Sequence, residues 1–203
     1  MTTLMSENRQ IAIDIAKLAE LGIRNLHEVF GRGVRGETLA RGFCSDEALA
    51  RVREAGITKV VDLRTADHNA RLSARCAAVG LGYDHIPIDA SSTSPDVLLA
   101  GLSRLFEIVD DGGFYISCQQ GLHRTDIAFA LYYFYHDDRE ISVMVGHRKN
   151  CCLRCDDIMR RVNAMRPFFP EISNDVFAER RKRFLCRNRE FANENTMSTK
   201  NVV

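Results

Sequence analysis

Short apolar runs alternate along the chain with stretches in which apolar residues recur at helical spacing. Ser6 is placed to cap a helix through Ile11, Ile15 and Leu18, with Gly22 as its stop. Leu26–Phe30 reads as a short strand, broken by Gly31, Gly33 and Gly36. Ser45-Asp46-Glu47 opens a helix that closes at Gly56, and Thr58–Leu63 is a short buried strand. A helix over Asp67–Val79 ends at Gly80, and Tyr83–Ile88 is the next strand. After the polar loop Ser91–Ser94, Pro95 suits the first position of a helix carrying Val97, Leu98, Leu102, Leu105, Phe106 and Val109. Phe114–Ser117 is a fourth strand, followed by an irregular polar segment and an apolar helix from about Thr125 to Tyr135. The remainder is helical. Ile158, Val162 and Met165 share a face that ends at Pro167, and another helix follows Ser173 through Val176, Phe177 and Phe184. Strands alternating with helices predict an α/β sandwich, its central sheet mostly parallel and flanked by helices.

Composition narrows the class without naming it. The 203 residues are 45% hydrophobic and 27% charged, enough for a globular core without staples. A net charge of +1 gives no reason to expect nucleic acid as a partner. No apolar run is long enough for a membrane span. The N-terminus lacks a basic start followed by an apolar stretch, so no secretory signal is expected. Seven cysteines without framework spacing read as reduced thiols in a cytoplasmic protein.

The chemistry is concentrated in Ile116-Ser117-Cys118-Gln119-Gln120-Gly121-Leu122-His123-Arg124-Thr125-Asp126. A cysteine leaves a strand, and six residues later an arginine opens a helix. A loop wrapped between them turns its backbone N–H groups inward as an anion nest, and the helix start adds its positive end. Arg124 offers a planar donor pair to phosphate oxygens. Gly121 allows a turn where a Cβ would obstruct. The cradle is therefore Gln119, Gln120, Gly121, Leu122, His123 and Arg124, with Cys118 at its base. Helix starts and nearby cations lower a thiol pKa to roughly 3.5–7.5, which makes Cys118 an ionised nucleophile. Thr125 is placed to hydrogen-bond the sulfur and help it leave.

This arrangement resembles the Cys-x5-Arg-Ser/Thr signature of the cysteine-based protein tyrosine phosphatase superfamily. Cys118–Thr125 looks most like the atypical dual-specificity phosphatases, bacterial members included. Val60-Val61-Asp62-Leu63-Arg64 looks like the strand they place beside the catalytic one, and Asn25–Gly36 like their N-terminal strand pair. The resemblance covers roughly residues 25–135. It implies a phosphatase domain over 25–190; the helical pattern makes 1–24 an N-terminal extension, and polar composition makes 191–203 a disordered tail. It also implies hydrolysis of phosphomonoesters through a phosphocysteine, with no metal or organic cofactor. The family's general acid is an aspartate on a loop before the cysteine. Asp89, 29 residues before Cys118, fills that place, with Asp96 in reserve and Asp84 inside a strand.

Two positions depart from the family. Ser117 stands where histidine is usual, and Asp126 where glycine is usual. A carboxylate after Thr125 must turn away from the cradle for a dianion to bind. The readings are therefore a protein tyrosine or dual-specificity phosphatase, or a phosphate-reading adaptor without turnover. A sulfurtransferase of the rhodanese type fits the arginine spacing and Thr125 less well. Gln119, Gln120 and Leu122 are neutral where inositol and lipid phosphatases tend to place lysines. A phosphorylated protein, with phosphotyrosine favoured, is the expected substrate. His123 before Arg124 keeps the inositol-pyrophosphate branch as an alternative.

The other features have plainer readings. Cys152 and Cys155, with His147 nearby, make one Cys-x2-Cys pair where a structural zinc site commonly needs two. Cys76 and Cys44 are the candidates for a protective disulfide with Cys118. Glu179–Arg183 reads as the solvated face of a terminal helix, and Phe168-Phe169 as a core plug between prolines. His27, His68, His85 and His136 read as loop or strand-end residues.

Overall fold

In the computed structural model, the described residues are 12–39, 45–65, 69–88, 95–136, 155–170 and 172–183. Five strands form one sheet: β1 (His27–Val29), β2 (Gly33–Glu37), β3 (Lys59–Asp62), β4 (Gly82–His85) and β5 (Phe114–Cys118). Their order is β1-β2-β5-β3-β4, with β1 antiparallel to β2 and the remaining pairs parallel. The helices are α1 (Ile15–Glu20), α2 (Asp46–Glu54), α3 (Asn69–Ala78), α4 (Pro95–Asp111), α5 (His123–His136), α6 (Cys155–Met165) and α7 (174–183). The mostly parallel α/β sandwich expected from the alternation is the one observed.

The strand side chains divide between two apolar layers. Val61, Phe114, Ile116 and Cys118 pack with α4, α5 and α6 residues such as Leu105, Phe129 and Val162. Val34, Val60 and Tyr115 pack with Leu18, Leu49, Val52 and Leu72 of α1, α2 and α3. Successive residues of a strand point to opposite faces, so Tyr115 and Ile116 belong to different layers. Helix α5 is apolar all round because it is the covered central helix, buried from Thr125 through Phe134. Cys76 lies fully buried in the layer opposite the one containing Cys118, which separates these two thiols by the sheet. Cys44 is outside the described residues.

Local signals placed most boundaries. Ser45 Oγ accepts from Ala48 N–H at 3.0 Å and caps α2. Helix α1 differs from expectation: its cap is Asp14, whose Oδ1 accepts from Lys17 N–H, while Ser6 lies outside the described residues. The larger difference is β2. Gly33 and Gly36 do not break the chain but sit inside a fully buried strand. A Cβ on Gly33 would lie 2.4 Å from the Phe114 ring, and one on Gly36 would lie 2.3 Å from the Tyr115 hydroxyl. Both glycines are there to admit aromatic side chains from β5. Of the Phe168-Phe169 pair, Phe169 is the plug and Phe168 is exposed.

The basic run in α7 is not wholly a solvated face. Arg180 is buried, and its Nη1 donates to the carbonyls of Phe134 (2.5 Å) and Tyr135 (3.0 Å) at the end of α5. It thereby satisfies acceptors that a helix end leaves over. His27 lies in β1. His136 ends α5, tilted against the Tyr132 ring and edge-on to that of Tyr135, and His68 is outside the described residues. Among the described residues, no helix is long and apolar enough to cross a membrane.

Candidate active site

Strand β5 ends at Cys118 and α5 begins at His123, so Gln119–Leu122 form the whole connection. Cys118 is 3% exposed and aligned with Glu37 of β2. The ladder of α5 starts with Asp126 N–H donating to the Leu122 carbonyl at 2.8 Å. Arg124 therefore lies in the first turn, where N–H groups precede the ladder and the helix end is positive. The helix starts two residues earlier than the apolar pattern suggested, because His123 and Arg124 are polar yet helical.

Gly121 makes the loop's shape possible. Its φ is +68°, and a Cβ there would lie 2.2 Å from the Gly36 carbonyl oxygen and 2.9 Å from Glu37 N. The loop is thus pressed backbone to backbone against β2. Asn25 Nδ2 donates to the Gln120 carbonyl at 2.8 Å and holds the outer side. Leu122 is buried, so its side chain anchors the loop. Thr125 Oγ1 donates its proton to the Leu122 carbonyl at 2.8 Å and does not give it to Cys118 in this state.

Arg124 has no hydrogen-bond acceptor among the described residues, and its Nε is buried without a partner. A guanidinium without an acceptor in the first turn of a helix suits an anion supplied from outside the chain. His123, half-buried beside Arg124, has its pKa lowered, first by desolvation and then by the Arg124 charge. Both effects favour the uncharged imidazole, leaving Arg124 as the permanent cation of the loop.

Asp126 is turned onto β2. It is fully buried, and Arg35 Nη1 on β2 donates to its Oδ1. Burial raises its carboxyl pKa from 3.8 to about 7, against the opposing pull of Arg35. The folded chain therefore binds this proton more tightly than the unfolded one. From about pH 4 to pH 7, Asp126 favours the folded state most at the acid end, and the contribution is lost as pH rises through 7. Urea unfolding of Asp126→Asn across this range is expected to show a flatter stability profile than the parent. An unchanged slope would put the acid's pKa elsewhere. Ser117 is buried between β2 and β3, its Oγ without a partner among the described residues.

Sequence reading missed Arg35 and Glu37, because their glycine neighbours looked like a break. Glu37 is buried and takes Arg24 in a fork, Nε at 2.9 Å and Nη2 at 2.6 Å on its Oε2, which raises the Arg24 pKa. Tyr115 donates to the Glu37 carbonyl at 2.6 Å. On the other flank, Leu63 N–H donates to the Ser117 carbonyl at 2.8 Å. Arg64 donates to Asp62 Oδ2 through Nη2 at 2.6 Å, and its pKa is raised chiefly by that bond. His85 Nε2 donates to the Arg64 carbonyl at 2.7 Å. The segment Val60–Arg64 thus braces the strand end beside Cys118. Asp89, Cys151, Cys152 and His147 lie outside the described residues. Of Asp96 and Cys155 only the backbone is described, in α4 and at the start of α6.

No protein-family model matches the chain, and no curated protein matches it significantly. Solved structures do. A DUF442 protein of Shewanella putrefaciens CN-32, provisionally described as a phosphatase, superposes with a TM-score of 0.57 at 14% identity, covering 76% of this chain and 98% of that one. TpbA of P. aeruginosa superposes with a TM-score of 0.49 at 16% identity, covering 81% of this chain and 92% of that one. At these identities the likeness is one of fold. The likeness to the DUF442 protein is to the α/β sandwich described above.

Proposed function

We propose that the chain is a cysteine-dependent phosphatase acting on phosphomonoesters, with phosphotyrosine in proteins the favoured substrate. The observation that carries this reading is Arg124, unclaimed among the described residues at the head of a helix, six residues after a buried cysteine, with the connection between them bent at Gly121. The phosphate dianion seats between Arg124 and the loop N–H groups, whose fixed dipoles stabilise charge as it develops. The Cys118 thiolate attacks phosphorus in line, forming an S–P bond as the ester P–O bond breaks. Asp89 gives its proton to the leaving oxygen. Water, with Asp89 now the base, then attacks phosphorus, and inorganic phosphate leaves as the thiolate returns. Asp126, turned onto Arg35, does not oppose the incoming charge.

A single charged side chain in the loop favours a monoester over a polyphosphorylated inositol. His123, favoured as the uncharged imidazole, supplies no second permanent cation.

The test is hydrolysis of para-nitrophenyl phosphate by the reduced protein in EDTA. Turnover is expected without metal, and Asp89→Ala is expected to lower kcat by roughly 10²-fold or more. Phosphate binding without turnover would instead make the chain a phosphate-reading adaptor. Full activity of Asp89→Ala would move the acid's role to another residue.

A further inference from the structure

Arg35 carries a charge at the middle of β2, is 1% exposed, and takes no direct part in the chemistry proposed above. It is aligned with Ile116, two residues before Cys118 on β5. Its Nη1 donates to Asp126 Oδ1, and Asp126 directly follows Arg124-Thr125 in the first turn of α5. Among the described residues, Arg35 Nε and Asp126 Oδ2 have no partner. A buried acid–arginine pair with part of its bonding capacity unused is weak as a device for stability, since well-packed apolar residues often serve as well. Its position accounts for it better.

We propose that Arg35 is a positioning residue of the phosphate loop: through Asp126 it ties the first turn of α5 to β2 and so fixes the direction of Arg124. Three tethers then hold the connection along its length. Asn25 grips the Gln120 carbonyl, the Gly36 backbone backs Gly121, and Arg35 holds the residue after Thr125. The last tether works whether or not Asp126 carries a proton, because Oδ1 accepts from Nη1 in either state while Oδ2 is unengaged. Asparagine keeps that acceptor and alanine removes it. The proposal rests on the reading of the loop as a phosphate cradle.

The experiment measures calorimetric binding of inorganic phosphate to the reduced full chain, with KM and kcat for para-nitrophenyl phosphate, at a temperature where each variant is folded by circular dichroism. Arg35→Met and Asp126→Ala are each expected to weaken phosphate on the order of tenfold, by misdirecting Arg124. Asp126→Asn recovers most of that loss. The double variant Arg35→Met/Asp126→Ala is no weaker than either single change, because the two residues act as one unit. Should Arg35→Met not fold, the contrast between Asp126→Asn and Asp126→Ala decides the question. Variants that melt lower but bind phosphate like the parent would overturn the proposal and leave the cradle standing, as would equal losses for asparagine and alanine. A parent chain that binds no phosphate would overturn both the cradle reading and the role of Arg35.

Discussion

Cys118→Ser is expected to cut turnover of para-nitrophenyl phosphate by roughly 10⁴-fold or more, while phosphate is still bound. Serine matches cysteine closely in shape, so the strand end and the loop it starts should keep their packing. What is lost is the nucleophile. A cysteine sulfur is intrinsically a far stronger nucleophile than an aliphatic hydroxyl. In the proposed cradle, Arg124 and the bend at Gly121 are not touched by the substitution. Steady-state kinetics and calorimetric phosphate binding on the same preparation separate the two effects. Residual turnover within about tenfold of the parent would exclude a phosphocysteine and point to direct attack by water. Loss of phosphate binding together with turnover would mean that the serine had disturbed the loop.

Gly121→Ala is expected to cost about 2 kcal/mol or more of stability and about a hundredfold in kcat/KM. The position has two independent requirements. A φ of +68° places an alanine in the left-handed region, and its Cβ would meet the Gly36 carbonyl oxygen at 2.2 Å and the Gly36 carbonyl carbon at 2.3 Å. Both are backbone atoms of a central strand paired on both sides, so they cannot swing away as a side-chain tip would. The loop must lift from β2, carrying its N–H groups and the approach to Arg124 out of line. Melting and kinetics on one sample are informative together. A stability loss with unchanged kcat/KM would show that catalysis tolerates a displaced loop, contrary to the geometry argued here.

How much of this was legible beforehand depends on how local each cause is. The caps at Ser45 and Pro95, the stops at Gly22, Gly56 and Gly80, and the apolar runs of β3 and β5 act within a few residues, and their elements appear where expected. Cys118, Gly121 and Arg124 were also legible, because strand, loop and helix start follow one another without interruption. Strand β2 was not. Gly33 and Gly36 look like breakers until the aromatic side chains of Phe114 and Tyr115, some eighty residues later, are seen to fill the space they leave. Arg35 and Glu37 carry no local signal of their roles. Their partners, Asp126 and Arg24, meet them only once the sheet has formed.

Asp126 shows the division most clearly. The sequence by itself placed a carboxylate in the first turn after the arginine and stated the condition under which an anion could bind: that it turn away. Propensity and spacing could not say which way it turned, because the answer lies in a residue on another strand, 91 positions earlier. The sequence determined the order of elements and the short, bent connection from Cys118 to Arg124, since these follow from short-range backbone and capping preferences. The tertiary structure decided where the buried charges go. Burial makes an unpaired charge costly, and only the assembled sheet brings Arg35 within reach of Asp126 to answer it.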